Sequence, residues 1–376
     1  MRYLRPNVPD EPASEEEAIQ MARISLIPPL LAALTLLCAP FAASAQKMTD
    51  VTVYVVKNLL STPHFVALEN GYWADQGLNV QIRMTSGGRN VVQALQAGDA
   101  QIGHVAISGT LSVARAGGDR LIAVMPYYNA PDYMGKASAY AIIGRRDRGI
   151  DPASPASIHG KKLGFTAGTN EYYMKQWFRK HNVDPAKVQV VSMLVEDMPV
   201  ALSQSLVDAA VAWEPYGSQI VRELGANAAV LSRGEEGLMS DNVGIVVRED
   251  YLKKNPEIVE KFATGIATAA KFIRENPKDT AEIVARYLDG LNLGDATEGL
   301  THLSWDPRVS VCVIEGSIRS GNGMLRLGQI KMDRPFTAAD YYDLSVYEKV
   351  LAKHPALFAG LPPLPARIED CKGKLD

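Results

Sequence analysis

The sequence predicts an α/β protein of two lobes, the second inserted into the first, with a ligand cleft between them. Three observations carry this. From residue 51 onward, short β-rich runs alternate with amphipathic runs. The alternation then starts again beyond GIDPASPASIHG (149–160), a Pro-, Ser- and Gly-rich stretch that reads as a connection. After the second series the chain turns to long helical patterns without new strands, and those helices need the first sheet to pack on.

Composition allows this architecture. The chain has 376 residues, 47% hydrophobic and 22% charged, enough to bury a sizeable core in about two domains. Residues 25–45, SLIPPLLAALTLLCAPFAASA, follow Arg23 and end in Ala43, Ser44 and Ala45, the pattern of a cleavable export signal. The acidic stretch before it does not suit export, so Met21 is the expected start and Ala45 the expected last residue removed. Pro28, Pro29 and Pro40 argue against a membrane anchor, and Leu36 and Leu37 before Cys38 argue against lipidation. Without residues 1–45 the net charge is about −1, which excludes the electrostatic footprint of a nucleic-acid binder. Cys312 and Cys371 remain, and in an oxidising compartment one bridge between them would close the C-terminal region.

Taken in order, VTVYVV, NVQIRM, AQIGHVAIS and LIAVMPYYN read as strands, with HFVALENGYWADQG and RNVVQALQAGD as helices between them. SAYAIIGRR is a return strand. The second series has KKLGF, VQVVSM and VDAAVAW as strands and TNEYYMKQWFRKHN and EDMPVALSQSL as helices. NVGIVVREDYLKKNP follows, then helices over Glu257–Asn276 and Asp279–Leu288; the tail after residue 340 reads as short helices and a proline-rich end. The expected division is 46–140 for the first lobe, 141–241 for the second and 242–376 for the return to the first.

In open α/β sheets the loops at the carboxyl ends of the strands form the ligand crevice. Gly87 and Gly88 in MTSGGRN let backbone approach a solute, and the helix after them presents free amides. TAGTNE does the same in the second series, although Glu171, three residues after Gly168, also fits a plain helix cap. AWEPYG places an aromatic wall at Trp213, an acceptor at Glu214 and a strand stop at Pro215. Tyr127 and Tyr128 hold a comparable strand-end position, suited to stacking on a solute or to packing at the crossover. Among six scattered histidines, His64 alone follows a strand near the expected cleft. No metal-ligand spacing or nucleophile motif is present.

The ordered fragments VTVYVV, HFVALENGYWADQGLNVQI, SGG, ALQAGDAQIG and LVDAAVAWEPY resemble the extracytoplasmic solute-binding proteins of ABC importers. The branch is that of nitrate-, sulfonate- and taurine-binding and pyrimidine-precursor-binding proteins, and the likeness runs over residues 49–290. It implies a type II periplasmic-binding-protein fold, two lobes joined by two crossover strands with the ligand in the interlobe cleft. It also implies a monomer in the periplasm, a small-molecule ligand, permease subunits as partners, no cofactor and no catalysis. Carried over position by position, the ligand residues are Asn58, Ser61, Ser86, Gly87, Gly88, Ser108, Thr169, Asn170, Trp213 and Glu214. Glu171 and Glu214 depart from an anion site, since a carboxylate at the second-lobe helix start would repel an anion. That favours an uncharged or amine-bearing aromatic ligand. The alternative is a pyrimidine-precursor-synthesising enzyme on the same scaffold, which has no use for an export signal.

Overall fold

The computed structural model describes residues 48–130, 139–234 and 238–371; the expected start at Met21, the export signal and the cleavage after Ala45 lie outside the described residues. Among the described residues there are ten strands: β1 Thr49–Val56, β2 Leu78–Thr85, β3 Ile102–Ala106, β4 Leu121–Ala130, β5 Tyr140–Arg145, β6 Lys162–Phe165, β7 Gln189–Ser192, β8 Ala209–Trp213, β9 Ala228–Arg233 and β10 Asp241–Arg248. They form two five-stranded sheets, ordered β2-β1-β3-β10-β4 and β7-β6-β8-β5-β9.

The two orders are one pattern. In each sheet three strands run parallel, and a strand from the far side of a crossing enters antiparallel beside the third. β10 pairs Val243 with Ala106 of β3 and also runs against β4; β5 pairs Tyr140 with Trp213 of β8 and also runs against β9. The chain therefore passes between the sheets twice, after β4 and after β9. The carboxyl ends of β1, β2, β3, β6 and β8 carry the loops at issue.

Local sequence explains the elements. In β1, Val51, Val53 and Val55 are buried on one face, the period-two pattern of a strand. AAVAW in β8 is buried throughout, as expected of an interior strand covered on both faces. The stretch expected as one helix from His64 splits into a helix Thr62–Glu69 and a turn Ala74–Gln76, because Gly71 and Gly77 adopt φ of 73° and 74°, which ends regular α-helix. Late helices form at Pro256–Glu275 and Pro277–Tyr287, each opening on a proline that needs no donor there.

The helix Pro256–Glu275 packs against the turn that follows Thr62–Glu69. Trp73 stacks on Phe262 with ring centroids 4.7 Å apart and donates from Nε1 to the Phe262 carbonyl at 3.1 Å. Gly265 permits the approach: a Cβ there would lie 2.3 Å from Trp73 Cδ1. Two helices were not anticipated, Leu293–Thr301 and the longer Val311–Arg326. Gly316, Gly321 and Gly323 dilute the apolar period of the second, and its start is fixed by Ser310, whose Oγ accepts from the Val313 amide at 3.2 Å. Cys312 and Cys371 are joined by a disulfide.

Candidate functional site

In the first lobe, three loops stand at the strand ends. After β1, Asn58 leads into a turn, Leu59–Ser61, in which Ser61 Oγ donates to the Val56 carbonyl at 2.6 Å and lies 3.2 Å from His104 Nδ1. After β2, Ser86, Gly87 and Gly88 are half-buried at the start of the helix Gly88–Ala97, which has no side-chain cap. A Cβ at Gly88 would meet Thr110 Oγ1 at 2.7 Å, so this loop lies directly against the third. That third loop, Ile107–Leu111, is a wide π-type turn. Ser108 in it is held by its backbone amide, which donates to Asn242 Oδ1 at 3.1 Å.

In the second lobe, Gly168 at φ 99° turns the chain into the helix Thr169–Lys180. Asn170 accepts from the Thr166 amide at 3.0 Å and donates to the Val211 carbonyl at 2.8 Å, tying the helix start to β8. At the end of β8, Trp213 meets Tyr140 edge-on with centroids 6.2 Å apart.

The two sets of loops touch. The Leu59 amide donates to the Glu214 carbonyl at 3.2 Å, and Tyr216 Oη donates to the Lys57 carbonyl at 3.3 Å. A Cβ at Gly109 would lie 1.9 Å from Thr169 Oγ1. Along this seam Ser108 Oγ, Thr169 Oγ1 and Trp213 Nε1 are buried without a hydrogen-bond partner. Each such atom costs about 1–3 kcal/mol when left unpaired, so three on facing loops make this seam the candidate binding site. An indole N–H only donates and a hydroxyl can donate, so the set suits a solute bearing acceptor atoms.

Several expected residues do other work. His64 lies inside the first lobe, with both ring nitrogens buried and unpartnered and with the rings of Trp73, His104, Tyr127 and Phe262 within 6.1 Å. Burial lowers its pKa to about 3, so it is a neutral packing residue. Tyr127 is fully buried with Oη 2.6 Å from His104 Nδ1, and Tyr128 accepts from the Ala139 amide at 3.0 Å beside Trp305. Both pack the crossover. The Glu214 carboxylate pairs with Arg233 and accepts from the Ser218 amide at 3.1 Å; Glu171 pairs with Lys175 at 2.7 Å. These neutralising partners remove the charge argument against an anionic solute. Asn170 has both ends of its amide engaged within its lobe.

A separate depression of about 370 Å³ is lined by Arg120, Leu121, Arg248 and Glu249. It opens at the start of β4 and the end of β10, the end of the sheet away from the cleft loops. Arg115 and Arg120 both bind Glu249 there, at 2.7 and 2.6 Å, and Arg248 binds Asp250 at 3.1 Å.

Comparison with known proteins agrees with this geometry. The family model described as NMT1/THI5 like matches residues 58–280. A putative binding protein of Brucella abortus is 24% identical over 325 residues, covering 83% of this chain and 96% of that protein. The taurine-binding periplasmic protein of Escherichia coli is 27% identical over 247 residues, covering 64% and 72%. Among solved structures, the alkanesulfonate-binding protein SsuA of Xanthomonas axonopodis pv. citri, bound to MOPS, superposes with a TM-score of 0.67 at 16% identity, covering 79% of this chain and 99% of SsuA. The fold is thus the two-lobed one of periplasmic binding proteins.

Proposed function

The chain belongs to the NMT1/THI5-like family, and from that premise we propose that it is the extracytoplasmic solute-binding component of an ABC import system. It captures a small organic solute between lobe 46–140 with 242–376 and lobe 141–241, and delivers it to a membrane permease. The observation that carries this is the seam where Ser108 Oγ, Thr169 Oγ1 and Trp213 Nε1 lie buried and unpartnered on loops of opposite sheets.

Ser108, Thr169 and Trp213 contact the solute through those atoms, while Ser86, Gly87 and Gly88 offer backbone donors beside them. Asn58, Ser61, Asn170 and Glu214 shape the loops from behind. The solute is sulfonate-, nitrate- or aromatic/pyrimidine-like, with its acceptor atoms at the hydroxyls and its flat or apolar part against Trp213. The protein works as a periplasmic monomer, as its family resemblance implies. Hinge closure changes the surface that a permease meets, which needs no chemistry on the solute. The enzymatic alternative draws no support from His64, which is neutral and enclosed by rings.

Thermal shift against sulfonates, nitrate, aromatic acids, pyrimidines and flavins tests this. A true ligand at 100 times its dissociation constant adds ~2.7 kcal/mol. Trp213→Phe keeps the ring and removes the N–H, so it is expected to weaken the strongest hit about tenfold with little change in melting without ligand. A panel with no hit, or full affinity in a Trp213→Phe, Thr169→Val double variant, would sink the proposal.

A further inference from the structure

The helix Val311–Arg326 lies outside the family match and reaches both lobes. Its middle is fastened to the first lobe. Asn242 donates to Ser317 Oγ at 2.9 Å while accepting from the Ser108 amide, and Ser317 Oγ lies 2.8 Å from Tyr342 Oη. Gly321 packs under Tyr341, where a Cβ would lie 2.0 Å from Oη. The disulfide Cys312–Cys371 secures its first turn to the tail.

Its far end meets the second lobe. A Cβ at Gly323 would lie 2.2 Å from Tyr172 Oη and 2.9 Å from Tyr172 Cζ. Tyr172 stands three residues after Thr169 on the same helix, is fully buried, and accepts from Gln176 Nε2 at 2.6 Å. One rigid element therefore holds the Ser108 loop through Asn242 and bears on the helix that carries Thr169.

We propose that Val311–Arg326 is the stop on which the second lobe closes, and that Gly323 and Tyr172 are positioning residues whose contact sets the closed separation of the two binding loops. The proposal rests on the capture reading for its purpose but not on which solute is captured. Gly323 has no positive φ that would require glycine, and alanine is the better helix former, so the glycine there answers to the close contact.

The test reads lobe separation directly. Spin labels on Asn79→Cys and Ala186→Cys, one exposed site per lobe, report the interlobe distance distribution with the native disulfide left oxidised. The parent protein is expected to populate the separation seen here. Gly323→Ala is expected to lower the closed-to-open ratio roughly tenfold, the consequence of forcing one methyl into a packed contact, while its melting temperature stays equal or rises. Adding Tyr172→Leu removes the ring edge that the methyl would meet as well as the oxygen, and is expected to restore much of the closed population. An unchanged distribution in Gly323→Ala overturns the proposal, as does a loss that Tyr172→Leu does not relieve or a parent protein without the closed separation. The capture reading is decided by the thermal-shift panel and by none of these outcomes.

Discussion

The two sheets share one strand order, yet they secure their loop-bearing ends by different chemistry. Under the first-lobe turn the support is neutral: Ser61 Oγ, His104 Nδ1 and Tyr127 Oη form a buried chain, with His64 packed beside it. Under the second-lobe loop it is ionic: Glu214, wholly buried, faces Arg233 and the Ser218 amide. The same topology thus tolerates either kind of foundation, and each kind has its own weakness. A neutral support fails when a proton is added; an ionic one fails when a partner is lost.

The largest effect is expected at the ionic end. Glu214→Gln leaves Arg233, itself largely buried, without its counter-charge, and breaking such a pair typically costs 3–5 kcal/mol, so a loss of about that size is expected in urea unfolding. Glu214→Gln with Arg233→Met, which removes both charges, should recover much of it. If the single variant costs under about 1 kcal/mol, the pair is not the foundation of that loop.

The neutral end is predicted to respond to acid. Burial lowers the pKa of His64 from 6.5 to about 3, and burial followed by the neighbouring His64 lowers that of His104. The unfolded chain therefore binds protons below pH 6.5 that the folded chain refuses. Stability is complete above that pH and falls as pH drops towards the folded values. Between pH 7 and 5 the loss from His64 is about 2 kcal/mol as an upper bound, and His104 adds to it in the same direction. His64→Phe should keep the packing and make the pH dependence shallower by up to half; an unaltered slope would place the acid-sensitive groups elsewhere.

The contrast also marks what was legible in the sequence. Strand positions, the two α/β series and the loops at strand ends follow from local periodicity and from glycine and proline placement, and β8 ending at Trp213 is a case in point. Thr169 and Trp213 stand in strand-end loops that glycine and proline placement mark, whereas Ser108 enters only through the family resemblance. What periodicity does not encode is the direction of a side chain once two elements pack. Glu214 and Trp213 are adjacent, yet one carboxylate turns to Arg233, nineteen residues on, while the indole N–H remains unpartnered. His64 and Tyr127 looked like cleft residues because they follow or end strands, but their rings join a cluster whose other members lie as far away as Phe262. The helix at 311–326 was missed because the glycines that let it approach Tyr341 and Tyr172 also erase the pattern that announces a helix.

The smallest expected effect sharpens the comparison by holding chemistry constant and changing burial. Arg222, on the second-lobe helix Tyr216–Leu224, donates from Nε to both oxygens of Asp295 at 2.8 and 3.1 Å. Asp295 belongs to the helix Leu293–Thr301, which also lies against the first-lobe turn, where a Cβ at Gly299 would meet Leu59 Cδ1 at 2.4 Å. The Arg222 side chain is half-exposed, at 53%, over a buried Asp295, whereas both members of the Arg233–Glu214 pair are largely buried. Water screens the former pair, and Asp295 keeps the Asn292 amide at 2.8 Å if the arginine is removed. Arg222→Ala is therefore expected to cost about 1–2 kcal/mol, less than Glu214→Gln because the buried Asp295 keeps its Asn292 hydrogen bond, and the cost should shrink in high salt. A loss comparable to that of Glu214→Gln, or one indifferent to salt, would show that the Arg222–Asp295 contact shares the buried character of the Glu214–Arg233 pair, and that exposure does not separate them.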